Sequence, residues 1–157
     1  MKAARLKLII AGVLLFGWLG YLLFLVLFER DPVVLSRSQI MASTHFVLAD
    51  VNPDPATGDP NPVVEVKDDL RPLGAPLTGT SIRVRNIKEA RQHGRPAAFR
   101  DPGPYLLTLT KLDEGAFELT PSPRAPGHDS PIRPRPWVYL WDAPGVKDQF
   151  NKLVPKP

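Results

Sequence analysis

Val63-Val64-Glu65-Val66-Lys67-Asp68-Asp69-Leu70 alternates apolar with charged residues along most of its length. A two-fold period of this kind suits a half-buried β-strand, whose successive side chains leave on opposite faces. Val64, Val66 and Leu70 are expected to point inward, and Glu65, Lys67 and Asp69 outward. Upstream, Ser38 to Val51 carries Ile40, Ala42, Phe46 and Leu48 on one two-fold face and Met41, Val47, Ala49 and Val51 on the other. The residues predict one long strand, and apolar side chains on both faces predict that it is central or bent.

Downstream, Ser81 to Ile87 alternates again, Ile82 and Val84 against Arg83 and Arg85. The period then changes. Asn86 is placed to cap a short helix over residues 87–93, with Glu89 at the capping-box position and Gly94 ending it. Tyr105–Leu112 and Ala116–Thr120 read as a hairpin across Asp113-Glu114-Gly115, where glycine supplies the positive φ of the turn. Trp137–Trp141 reads as a sixth short strand. Val146, Phe150 and Leu153 at helical spacing predict a small amphipathic helix that ends the pattern. All 19 prolines lie beyond residue 31. They cluster at 53–62 and 121–136, segments that are expected as loops because proline lacks the N–H that ladders require.

The predicted fold is therefore mainly β. Five or six short strands, with one brief helix between the third and fourth, match the order of a small OB-like β-barrel; a β-sandwich is the alternative. Val63-Val64-Glu65-Val66-Lys67, Gly79-Thr80-Ser81-Ile82-Arg83-Val84 and Gly103-Pro104-Tyr105-Leu106-Leu107 resemble strand openings of netrin-like modules of the tissue-inhibitor type. The resemblance covers residues 38–120 and implies an OB-fold alone. The cysteines of that family are absent, so its inhibitory activity is carried over to no residue here. The run Asp31-Pro32-Val33-Val34-Leu35-Ser36-Arg37 is similar to juxtamembrane runs of uncharacterised single-pass proteins of planctomycete-type bacteria, a resemblance that implies no function.

At the other end of the chain, Leu8–Phe28 carries no charge. Its roughly 21 residues extend roughly 31 Å as a helix, enough for a bilayer's hydrocarbon core of about 30 Å. Lys2, Arg5 and Lys7 precede the run, while Glu29, Arg30 and Asp31 follow it without net positive charge. That bias predicts a cytosolic N-terminus and an exported remainder. The apolar run is longer than a signal peptide's and lacks a small-x-small cleavage site, so an uncleaved anchor is expected. The organisation read from sequence is a basic tail over 1–7, a transmembrane helix over 8–28, a linker over 29–37 and an exported β-domain over 38–157. Gly17 and Gly20 lack the G-x-x-x-G spacing of a dimerising helix, and Trp18 and Tyr21 sit mid-helix, where they could face a partner helix.

Charge and composition narrow the function. Of 20 Lys and Arg residues, three lie on the tail, leaving 17 against 16 acidic residues in the remainder. A near-neutral domain lacks the concentrated basic face of a nucleic-acid binder. The absence of cysteine excludes disulfides, thiolate catalysis and cysteine-ligated metal. Asp50, Asn52 and Asp54 alternate as calcium-loop ligands do, but Pro55 and Asn61 stand where such a loop needs Gly and Glu. His128-Asp129-Ser130 contains the residue types of a hydrolase triad, yet adjacent residues cannot reach triad geometry. His45 and His93 have no second ligand at metal-binding spacing.

No metal, no cofactor and no catalytic residue is expected. Arg83, Arg85, Lys88 and Arg91, continued by Arg95 and Arg100, form the main charge asymmetry of the domain and are speculative ligand-binding residues. Trp137, Tyr139 and Trp141, on one face of their strand, are the second such group, able to stack on sugar or to fill a barrel end. Two functions remain as expectations. One is a membrane-anchored, non-enzymatic accessory module with a protein partner on its helix or its exported domain. The other is a binding domain for an anionic or sugar polymer of the cell envelope.

Overall fold

The computed structural model describes residues 2–28, 33–72, 74–112, 115–124, 127 and 134–154; within the first helix it describes the side chains of residues 7 and 10–25. The chain divides into two compact units, Met1–Pro32 and Val33–Pro157.

The first unit carries helix α1, Lys2–Phe28. Val13, Leu14, Leu15 and Phe16 are all exposed. Four consecutive residues at about 100° steps sample the whole circumference, so the helix has no polar side. Gly12, Gly17 and Gly20 face open space, and the rings of Trp18 and Tyr21 lie 6.1 Å apart. Among the described residues no helix is long and apolar enough to cross a membrane. The side chains over 10–25 amount to roughly 24 Å of helix, short of the roughly 30 Å needed. The rest of the expected span, residues 8, 9 and 26–28, lies outside the described side chains.

The second unit is built on a seven-stranded sheet: β1 His45–Asp50, β2 Val63–Asp69, β3 Ser81–Arg83, β4 Arg91–Gln92, β5 Tyr105–Lys111, β6 Phe117–Leu119 and β7 Trp137–Leu140. The paired path runs β3-β2-β1-β5-β7-β4, with β6 also on β5. All pairs are antiparallel except β4 with β7. One edge of β5 takes β1; the other is shared by β7 at Tyr105 and Leu106 and by β6 from Leu109 to Lys111. The sheet is open rather than closed. A single parallel bridge joins Val84, just past β3, to Phe117 of β6, and the Arg85 N–H donates to the Phe117 carbonyl at 2.9 Å.

The expectation that β1 is central is met, because it is buried on both faces. Val47 and Ala49 join a first core with Val64, Val66, Ile82, Leu107, Leu109 and Leu119. Phe46 and Leu48 join a second core on the opposite face with Leu106, Tyr139 and Phe150. Helices α2, Arg37–Ala42, and α3, Val146–Leu153, contribute Ile40, Val146 and Phe150 to this second core. Alternation along β1 and β5 thus divides their buried apolar side chains between two layers.

Several expectations need correction. Residues 38–42 belong to α2 and not to the first strand: the Ser36 hydroxyl accepts the Gln39 N–H at 3.3 Å as an N-cap, and burying Gln39 and Ile40 holds the turn-and-a-half in place. Val33–Ser36, expected as linker, lie within the compact unit, with Leu35 buried. Asp69 is buried and Leu70 half-buried, the reverse of the simple alternation. A bulge opposite Leu48 and Ala49 shifts the register between Val66 and Asp68, and one extra residue inverts every side chain after it. The Asp69 carboxylate then accepts the N–H groups of Leu77 (3.1 Å) and Arg71 (3.3 Å), organising the turn into β3.

The helix expected over 87–93 is a single 3-10 turn, Ile87–Glu89, followed directly by β4. Asn86 does not cap it. Its side-chain amide donates to the Leu119 carbonyl (2.9 Å) and accepts the Leu119 N–H (2.7 Å), so it pairs with β6 as a strand residue would. The Gln39 amide treats Trp137 the same way, donating to its carbonyl at 2.9 Å and accepting its N–H at 3.3 Å. Gln149 donates to the Val33 carbonyl (2.7 Å) and accepts the Leu35 N–H (3.1 Å). Three side-chain amides therefore satisfy backbone groups of β6, β7 and the segment before α2. The hairpin β5–β6 forms as expected, with the Leu112 N–H on the Ala116 carbonyl at 2.8 Å and Gly115 at φ 75°; Asp113 and Glu114 lie outside the described residues. The C-terminal amphipathic helix is α3.

Candidate functional site

The basic run divides between two concavities. Arg83 and Arg85 flank the bridge between β3 and β6, and with Pro62, Gly115 and Ala116 they line an open groove of about 490 Å³. Alternation places them here: Ile82 and Val84 are buried in the first core, so the two arginines between and beyond them face outward. Lys88 lines a different and larger cleft. Its ammonium donates to Asp59 Oδ2 at 2.8 Å, and that hydrogen bond holds its pKa above the ordinary lysine value. Arg91, on edge strand β4, is exposed and lines neither concavity. The fold thus separates residues that lie close together in sequence.

The aromatic group also divides. Tyr139 is buried, and its hydroxyl accepts the Ser36 N–H at 2.8 Å. Burial pushes the Tyr139 pKa up, opposed by that hydrogen bond. Trp137 and Trp141 are half-buried against the second core, Trp141 edge-on to Phe150 at 5.8 Å. Of the two uses open to this group, filling the core is the one its packing fits; Tyr139 presents no ring face to a ligand.

The larger cleft, about 830 Å³, lies between the loop after β1 (51–60) and the segment from Ile87 to Gly103. Its second wall is tightly organised. Asp101 accepts from Nε and Nη2 of Arg95 (3.0 and 2.8 Å) and from the Gln92 amide (2.7 Å). The Tyr105 hydroxyl donates to the Asp101 carbonyl at 2.9 Å; burial, reinforced by the nearby carboxylate, raises the Tyr105 pKa. Phe99 sits at φ 61°, a left-handed conformation that costs a bulky residue of order 1–3 kcal/mol. Its N–H donates to Gln92 Oε1 at 3.1 Å and its ring meets Tyr105 edge-on at 5.0 Å, contacts that hold the strained turn. Opposite, Asp50 pairs with Lys67 through Oδ2, while its Oδ1 is buried without a hydrogen-bond partner.

The other motifs do not assemble. Asp54 closes a turn by accepting the Ala56 N–H at 2.9 Å, and Asp50 is engaged by Lys67. His45 bonds the Thr44 hydroxyl and packs on Phe117, and His93 lies beside Trp137. Among the described residues no group of three or more His, Asp or Glu could hold a metal; residues 128–130 lie outside them. The sequence reading named Asp50 and Arg100 only as part of other patterns and missed the part played by Phe99, whose strain no residue-type signal announces. Comparison of the chain with protein-family models, with curated proteins and with solved structures finds no match.

Proposed function

We propose that the chain is a membrane-anchored, non-enzymatic interaction module with an OB-like domain on the exported face of the membrane. The observation that carries this reading is the exposed apolar surface around the whole circumference of α1. A helix without a polar side needs lipid or partner helices around it, and the uncharged sequence run from Leu8 to Phe28 has the length of a span. The basic residues ahead of that run favour a cytosolic N-terminus. The order β3-β2-β1-β5-β6, with the β3 tail bridged in parallel to β6, favours a partly open OB-like barrel over a sandwich. The non-enzymatic part of the reading rests on the sequence, which lacks cysteine and carries no catalytic spacing.

The test is alkaline-carbonate extraction of native membranes followed by cross-linking and affinity purification of the full chain. It is expected in the membrane pellet with one reproducible partner. Release by carbonate overturns the anchor, and repeated recovery of the bare protein overturns the accessory role. One observation favours a second reading, binding of an anionic envelope polymer: Arg83 and Arg85 project together into one groove. Reversing both to Glu is expected to abolish salt-sensitive polymer binding by the full chain in detergent, and unchanged binding removes that site.

A further inference from the structure

The larger cleft is charged in a way that selects its ligand. It is lined by three carboxylates, Asp50, Asp59 and Asp101, each of which is matched by a cation: Lys67, Lys88 and Arg95 respectively. Two further lining residues, Arg100 and Arg135, are exposed and have no hydrogen bond or ion pair among the described residues. The cleft therefore has two unmatched guanidinium groups, each able to take an oxyanion in a forked contact.

We infer that this cleft binds an acidic sugar unit, its carboxylate on Arg100 and Arg135. The cleft's volume lies within the usual range for small-ligand sites, about 300–1,000 Å³. Ala97, Ala98 and Phe99 supply apolar surface for the ring's C–H face. A peptide is less well served, because Pro53, Pro60, Pro96 and Pro102 punctuate both walls and proline offers no N–H to a peptide backbone. The strain at Phe99 has a use in this arrangement. The left-handed turn packs the Phe99 ring against the first core while the next residue, Arg100, stays at the cleft. Phe99 is thus a positioning residue.

The inference is independent of the membrane anchor. It deepens the polymer-binding reading by naming the sugar class and by placing it on a different surface from Arg83 and Arg85. Its test is calorimetric titration of the detergent-solubilised full chain with polygalacturonate, monomeric galacturonate, a neutral galactan and poly-glutamate. Both acidic sugars are expected to bind, with affinity falling about tenfold or more in the Arg100→Gln/Arg135→Gln variant, a loss typical of forked charge-assisted contacts. Arg135→Lys is expected to fall between the variant and the parent. Equal binding of the neutral galactan, or of poly-glutamate, overturns the assignment, as does absence of binding by either galacturonate form. Binding lost in Arg83→Glu/Arg85→Glu but retained in Arg100→Gln/Arg135→Gln also overturns it, while leaving the polymer reading on the other groove intact. Unchanged thermal melts of each variant separate loss of contact from loss of fold.

Discussion

The two faces of the central strands are held in different ways. The first core is mostly aliphatic, with side chains from β1, β2, β3, β5, β6 and β7; Phe117 adds a ring and Tyr105 brings its hydroxyl to the rim. The second core is covered by α2 and α3 and contains a polar frame: Gln39 reaches Thr108 Oγ1 at 2.9 Å as well as Trp137, Tyr139 holds the Ser36 N–H, and Gln149 holds Val33 and Leu35. One face is specified mainly by volume, which many apolar sequences can supply, with the Asn86 amide pairing Leu119 as its polar exception. The other is specified by donors and acceptors at fixed positions, which few can. Its stability resides in groups that are costly to leave unmatched.

Truncation on the first face makes the largest effect. Leu107 is fully buried, and Leu107→Ala is expected to cost about 2–5 kcal/mol in a urea unfolding curve of the full chain in detergent. Gln39→Leu keeps the apolar volume but strands the Trp137 N–H and carbonyl, and is expected to cost about 1–3 kcal/mol for the groups left unmatched. A Gln39→Leu variant as stable as the parent would break the comparison, since the frame would then be incidental. Alkaline pH probes both faces with the smallest effect. Burial raises the Tyr105 and Tyr139 pKa values above 10.0, so on passing pH 10 the unfolded chain releases these protons while the folded chain keeps them. Stability is full below about pH 10 and falls above it, by at most about 1.4 kcal/mol per pH unit for each tyrosine. Tyr139→Phe is expected to remove its share of that slope, measured from the pH dependence of unfolding alongside tyrosinate absorbance.

The first core was largely legible in the sequence, because period two survives in Val64, Val66, Ile82, Val84, Leu107 and Leu109 whatever the strands pair with. The second was not. Ser36-x-x-Gln39 has the spacing of a capping box, but apolar Ile40, Met41 and Ala42 blend into the alternation of β1 and conceal it. Asp69 was misplaced because a bulge depends on its partner strand, and Asn86 was read as a cap because its real partner, Leu119, lies 33 residues away. The arginine run was visible as a run, but which arginines face which cleft is decided by strand alternation on one side and by the turn at Phe99 on the other.

The amide of Gln149 and the hydroxyl of Tyr139 bear on the order in which the chain can be completed. Both bind backbone at Val33 to Ser36 across sequence separations of 103 to 116 residues. During synthesis the opening of the domain leaves the ribosome early, and its partners follow only after more than a hundred further residues. Until α3 has emerged, Phe46 lacks the Phe150 ring that packs edge-on against it at 5.5 Å. A nascent chain halted short of residue 150 therefore lacks the Val146 and Phe150 side chains of the second core.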